Sequence, residues 1–233
     1  PQALHRARRA LRKYLEHVLR ADLVNAYQKN HTPGAYRPDP IPAGKRALRN
    51  NALGYLCELN DSAAHKLMQD HLDHASNMTD RIAALNAMVH QSAPGVVEAL
   101  QSFYADFESE ALVIDKWFSL QASAPGTDVA AVRQLMKHPA FTLKNPNRAR
   151  SLIFTFCSSN PAQFHVADGS GHAFWAEQVM ALDTINPQVA ARFARSLDRW
   201  RKFTPGLQAS IADHATVDHP DAGDAHARGE RHA

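Results

Sequence analysis

Residues 145–172 read NPNRARSLIFTFCSSNPAQFHVADGSGH, and the reading of this stretch decides the fold. It holds two Asn-Pro pairs, a DGSG turn, Ser170 between two glycines, Cys157, and the histidines His165 and His172. Such residues suit catalytic loops or the joints between packed helices. The catalytic templates fail one by one. Ser170 sits in D-G-S-G rather than G-x-S-x-G, and no strand pattern precedes it, whereas a nucleophile elbow needs a strand-to-helix turn. Cys157 follows a Phe-Thr-Phe run without an activating neighbour and reads as a small buried hydrophobe. The joint reading accounts for the prolines. Asn caps a helix start, and proline at the first helical position gives up only an N–H that has no intrahelical acceptor.

Outward from this stretch, the same punctuation recurs roughly every twenty residues. It appears at Asn60-Asp61-Ser62, Asn77-Met78-Thr79-Asp80, Ala93-Pro94-Gly95, Ala124-Pro125-Gly126 and Asn186-Pro187. Ser62, Thr79, Thr127 and Asn186 are the expected N-caps. Between the stops lie stripes at helical spacing, such as Leu48, Ala52, Tyr55 and Leu59, while period-two alternation is nearly absent. The chain is therefore expected to be all-α. Helices this short cannot bury their own apolar faces, so they must stack, and pairs recurring about every 35 residues indicate an α-solenoid of the armadillo or HEAT kind. A closed irregular bundle is the alternative.

The expected organisation is one helical-repeat domain over residues 1–208 and a disordered tail over 209–233. Within the domain, a first helix spans about 4–30 with Leu4, Ala7, Leu11, Tyr14, Leu15 and Val18 as its stripe. A loop covers 31–44, where four prolines and two glycines in TPGAYRPDPIPAG forbid a helix, and stacked helices fill 45–208. The tail SIADHATVDHPDAGDAHARGERHA has almost no large apolar residue with which to offset its ordering entropy.

A hydrophobic content of 45% over 233 residues supports one large core or two smaller ones. Cys57 and Cys157 are the only cysteines and lie far apart in apolar runs, which excludes a disulfide framework and suits a reducing compartment, the cytoplasm. No run approaches the ~18 apolar residues of a membrane span, and the start has no secretory apolar segment. The absence of Met at position 1 reads as a piece of something longer, or a processed product. Arg6, Arg8, Arg9, Arg12, Lys13 and Arg20 face a single acid, Glu16, in the first twenty residues. That pattern is a solvated face or, less expected without interleaved aromatics, a nucleic-acid contact. Of the histidines, His65, His71 and His74 lack the i, i+4 spacing and the nearby Glu of H-E-x-x-H, and read as solvated helix positions. Tail histidines 214, 219, 226 and 232 could hold a metal only loosely. No catalytic residue and no metal ligand is expected in this chain.

Longer segments carry a resemblance. These are KRALRNNALGYL, ASNMTDRIAALNAM, VIDKWFSLQASAP, HPAFTLKNPNRARSLIFTF, SSNPAQFHVADGSGHAFWAEQV and INPQVAARFARSLDRWRKF. Together, in order and over residues 3 to 208, they resemble the C-terminal helical domain of bacterial aminopeptidase N, a family of zinc metallopeptidases. The resemblance implies a division of labour. The family's catalytic domain carries H-E-x-x-H, a further Glu and a G-x-M-E-N loop, none of which occurs here. Its C-terminal superhelix caps that domain and encloses a cavity that admits short peptides. The expected cofactor is none in this chain and zinc in the parent enzyme. The expected partners are the catalytic domain of the same polypeptide and short peptides, with neither membrane nor nucleic acid. Arg150 and Arg192 match family arginines that face the cavity, the alternative being that they cap helix ends or pair with acids inside the solenoid, while Arg148, two positions from Arg150, should point elsewhere. The resemblance lapses after Gln208, where family members continue with a closing helix. The rival expectation is a free-standing solenoid that binds a protein or nucleic acid, with no enzyme attached.

Overall fold

The computed structural model describes residues 1–215, and every regular element among them is helical. A long helix α1 (Gln2–Lys29) is followed by α2 (Pro40–Leu56), α3 (Ser62–Asp73), α4 (Met78–Gln91), α5 (Val96–Phe107), α6 (Ala111–Ala122) and α7 (Val129–Met136). A single bent segment comes next: α8 (Pro146–Ala149), a π turn over Arg150–Phe154, and α9 (Thr155–Ser159). Then come α10 (Pro161–Phe164), α11 (Ser170–Asp183), α12 (Pro187–Ala194), two 3₁₀ turns and α13 (Pro205–Ala215). Successive helices α3, α5 and α7 begin at Ser62, Val96 and Val129, close to the period expected from the punctuation. Helices α2, α4, α6 and the α8–α9 segment lie side by side, while α3, α5 and α7 each pack against the member that follows. This is the α-solenoid.

The helix starts follow from elementary capping chemistry. Asn145, Asn160 and Asn186 each accept a backbone N–H through their side chains, and each is followed by proline at the first helical position. Elsewhere the caps fall beside the expected residues. Asp61, Asn77 and Asp128 perform the role, not Ser62, Thr79 or Thr127. Thr127 instead donates its hydroxyl to Gln121 O at 2.7 Å. Asn160 does more than cap. Buried to 1% exposure, its Nδ2 reaches the carbonyls of Ala122, Ala124 and Thr127 and so closes the end of α6.

Two boundaries and one apolar face differ from the sequence reading. The loop after α1 ends at Asp39, because Pro40 and Pro42 fall in a first helical turn, where their missing N–H groups cost nothing. Residues 209–215, expected to open a disordered tail, continue α13, with Ile211 buried and Ser210 hydrogen-bonded to His172. Residues 216–233 lie outside the described residues, as do His219, His226 and His232. The stripe of α1 is the third difference, since Leu4, Leu11, Tyr14 and Val18 are all more than half exposed and the helix buries Glu16 instead.

Two apolar clusters share the interior. The smaller one joins α2, α3 and α4 through Leu53, Cys57, Met68 and Met88. The larger runs from α4 to α13 and is built on Phe103, Phe118, Phe156, Phe164 and Phe174, all essentially inaccessible, with edge-on ring contacts between Phe156 and both Phe164 and Phe174. Gly171 lets this core close. A Cβ there would overlap the backbone carbonyl of Phe164, so only glycine lets α11 approach α10 this closely.

The basic first helix acquires a structural use. Arg12 donates to Gly54 O near the end of α2 and pairs with Glu58, while Arg9 reaches His90 O and Gln91 at the end of α4. Cations placed at helix C-termini complement the exposed carbonyls and the macrodipole. Arg6, Arg8 and Lys13 remain on the solvent side.

Candidate functional site

An open groove of about 670 Å³ runs along α4, α6 and the α8–α9 segment. Its polar lining includes Asn86, Asp115, Lys116, Ser119, Asn147 and Arg150, over an apolar base of Ile82 and Leu120. These come from three helices that are distant in sequence, and stacking brings them together.

Two arginines two positions apart divide the work on the α8–α9 segment. Residues at that separation lie nearly opposite one another around a helix. Arg148 turns inward, is buried, stands 3.2 Å from Asp115 and lies 5.1 Å above the Phe118 ring. Ser151 Oγ donates to Arg148 O at 2.9 Å and lies 3.4 Å from Asp115 Oδ1, and Ser119 donates to Ser151 O. Asp115 therefore enters the groove wall already neutralised from behind. Arg150 turns outward to the groove and forms no ion pair among the described residues. The π turn that begins at Arg150 widens the helix by one residue per hydrogen-bonded loop, and Thr155 Oγ1 donates to Arg150 O across it. An exposed guanidinium beside Lys116, with the nearest carboxylate already paired, suits an anionic group such as a carboxylate.

Arg192 lies on the exposed side of α12 and is not part of this groove. The groove therefore includes Arg150 and not Arg192. The residues that sequence reasoning missed, Lys116, Asn86 and Asn147, carry no local signal, because the groove exists only after stacking.

The histidines occupy other environments. His165 and His172 form a buried pair, 3.1 Å between Nδ1 and Nε2, and His172 Nδ1 meets Ser210 Oγ at 2.8 Å. Phe164 packs edge-on against both rings, and Phe203 covers His165. Burial lowers both pKa values to about 4, with each ring further disfavoured by a neighbouring histidine, so both are neutral at pH 7. The chain Ser210–His172–His165 contains no carboxylate to orient a base and sits under aromatic rings, so it joins α11 to α13. His71, expected on a solvated face, is instead buried against Tyr27 OH at 2.9 Å, and burial lowers its pKa to about 4. His65 bonds to Asn60, and His74 Nδ1 to Asp70 O, so the three do not converge. Among the described residues, no three His, Cys, Asp or Glu side chains are arranged to hold a metal ion, so this part of the chain does not fit a zinc site. Both cysteines are free and buried, and burial pushes the Cys57 thiol up to about 12 and the Cys157 thiol higher still, which makes poor nucleophiles of them.

Residues 1–215 match the family described as a domain of unknown function (DUF3458_C) with ARM repeats. Aminopeptidase N of Escherichia coli (strain K12) is 39% identical over 212 residues, covering 91% of this chain and 24% of that protein. Aminopeptidase N of Caulobacter vibrioides is also 39% identical, over 210 residues, with 89% of this chain and 24% of that one covered. The chain thus spans about a quarter of the length of the curated relatives it matches. Among solved structures, Legionella pneumophila aminopeptidase A in complex with aspartic acid superimposes with a TM-score of 0.81 at 27% identity, covering 91% of this chain and 26% of that one.

Proposed function

Since the chain belongs to the DUF3458_C family of ARM-repeat domains, the C-terminal domain of aminopeptidase N-type enzymes, we propose that it walls the route by which short peptides reach a zinc-dependent catalytic domain of the same polypeptide. The observation that carries this reading is the groove along α4, α6 and α8–α9, with Arg150 and Lys116 unpaired on its side and Asp115 already engaged by Arg148. A peptide bound by its amino end at a distant metal presents its other end to such a wall. A free carboxylate there would meet a guanidinium able to form two parallel hydrogen bonds. Arg192, exposed on α12 and outside this groove, is left without a role in this reading. Zinc, in this reading, is held by residues outside the chain, where it would polarise the scissile carbonyl and activate water. Among the described residues no group of three side chains is arranged to hold a metal ion. The chain's own residues position and admit.

The bare apolar stripe of α1, with Leu4, Leu11, Tyr14 and Val18, gives the catalytic domain a surface to cover. The cytoplasm suits two unpaired cysteines, and no described helix is long and apolar enough to cross a membrane.

The reading is tested by fluorescence polarisation, with the chain titrated against a labelled tetrapeptide bearing a free carboxyl end and against its amidated twin. The free acid should bind about fivefold more tightly, the value of one partly exposed charged contact. Arg150→Gln should abolish the difference. Equal affinity for the two peptides in the wild-type chain would remove Arg150 from this role.

A further inference from the structure

The structure contains two buried arginines among its described residues, and only one has a counter-charge. Arg148 has Asp115. Arg46, 4% exposed, has none. Its Nη2 donates to Arg37 O at 2.9 Å and its guanidinium stacks 4.6 Å from the Tyr36 ring, but its Nε has no hydrogen-bond partner. Burying a guanidinium without a carboxylate or a full set of acceptors is costly, and an anion that completed its contacts would offset that cost.

Arg46 lines a cleft of about 220 Å³. Its other walls are the loop from His31 to Arg37, the first turn of α2 with Ile41, Lys45, and the α3–α4 connection at Ser76 and Asn77. The charge around it is one-sided. Lys45 is exposed and makes no ion pair among the described residues. Asp39 is taken by Arg37 at 2.8 Å, and Asp80 by Asn50, Asn77 and the more distant Arg49. The N-terminus of α2 adds to the field. Its N-cap is Asp39, whose side chain pairs with Arg37 and makes no capping hydrogen bond, so the Ile41 N–H joins the groups without an intrahelical acceptor.

We propose that this cleft is a binding site for a small oxyanion, a phosphate or carboxylate, held by the Arg46 and Lys45 cations with the hydroxyl groups of Thr32 and Ser76 around it. A planar guanidinium already fixed by Tyr36 and Arg37 O loses little freedom when the anion arrives. The site lies apart from the peptide groove, since the two share no lining residue. It stands whether or not the chain serves a peptidase.

The test is a titration of the chain with inorganic phosphate and, separately, with acetate, followed by ¹H–¹⁵N spectra at constant ionic strength against a chloride reference. Saturable shifts confined to residues 31–46 and 76–77 are expected with at least one of the two anions, and the anion that saturates identifies which oxyanion is preferred. Lys45→Glu, at an exposed position, should weaken binding at least tenfold and leave the rest of the spectrum unchanged. Arg46→Met should eliminate binding, and if that variant does not fold, Lys45→Glu decides alone. Shifts that fail to saturate, that chloride reproduces, or that Lys45→Glu leaves intact would overturn the proposal.

Discussion

The first helix and the helices from α5 to α11 carry the same apolar spacing, yet they treat it in opposite ways. In α5–α11 the stripes meet one another, and Phe103, Phe118, Phe156 and Phe174 lose all contact with solvent. In α1, Leu4, Leu11, Tyr14 and Val18 remain bare, and the helix is held by Arg9 and Arg12 at the ends of α4 and α2 and by Tyr27 against the smaller cluster. Periodicity fixes which face of a helix is apolar, but not which molecule covers it. Among the described residues nothing buries this stripe, and the proposed function gives it to a partner.

The contrast can be broken or sharpened by substitution. Phe174→Ala removes a ring from the closed aromatic core and should cost about 3–5 kcal/mol, read as a lower denaturation midpoint with an unchanged slope. Arg148→Ala leaves Asp115 without its partner in a mostly buried setting and should cost about 3 kcal/mol, whereas Arg150→Ala, two residues along, should change stability by less than about 0.5 kcal/mol. Should both arginine variants lose the same stability, the inward and outward assignment fails.

Acid should loosen the α11–α13 junction next. The folded-state pKa of His165 and His172 is depressed to about 4, below the usual 6.5, so the unfolded chain binds more protons between those values. Stability is fully present above about pH 6.5, falls as the pH drops through that window, and the contribution is gone below about pH 4. At pH 5.5, one unit into the window, each ring has given up about 1 kcal/mol. Thermal melts across pH 4–8 should show this decline, flattened in His172→Gln. A melting temperature constant over that range would contradict the buried neutral pair. The smallest effect belongs to α1, where Leu11→Ser should change the stability of this chain by less than about 0.5 kcal/mol while weakening its association with a separately produced catalytic domain.

Much of the fold was legible before any coordinates. Asn-Pro at 145, 160 and 186 marks helix starts for a purely local reason, and the structure uses all three. The misplaced caps are local too, since Asp61 and Asp128 stand beside the expected Ser62 and Thr127 and a carboxylate accepts the same N–H. The end of the chain misled through composition. SIADHA looks too polar to pack, but one residue, Ile211, reaches the core and Ser210 reaches a histidine that the sequence does not place nearby. The candidate site was less legible. Arg150 entered through resemblance, and its separation from Arg148 by two residues gave the correct opposition of the pair. Lys116 and Asn86 could not be found that way, because only the stacking of α4, α6 and α8–α9 brings them beside Arg150. The π turn at Arg150–Phe154 has no sequence signal, since five ordinary helix-compatible residues form it.

The central claim is that this solenoid shapes access to a reaction whose machinery lies elsewhere. The most direct measurement is hydrolysis of an alanyl arylamide by the purified 233-residue chain with added zinc, compared with buffer. The account predicts release indistinguishable from the buffer control, and turnover that a chelator abolishes would contradict it.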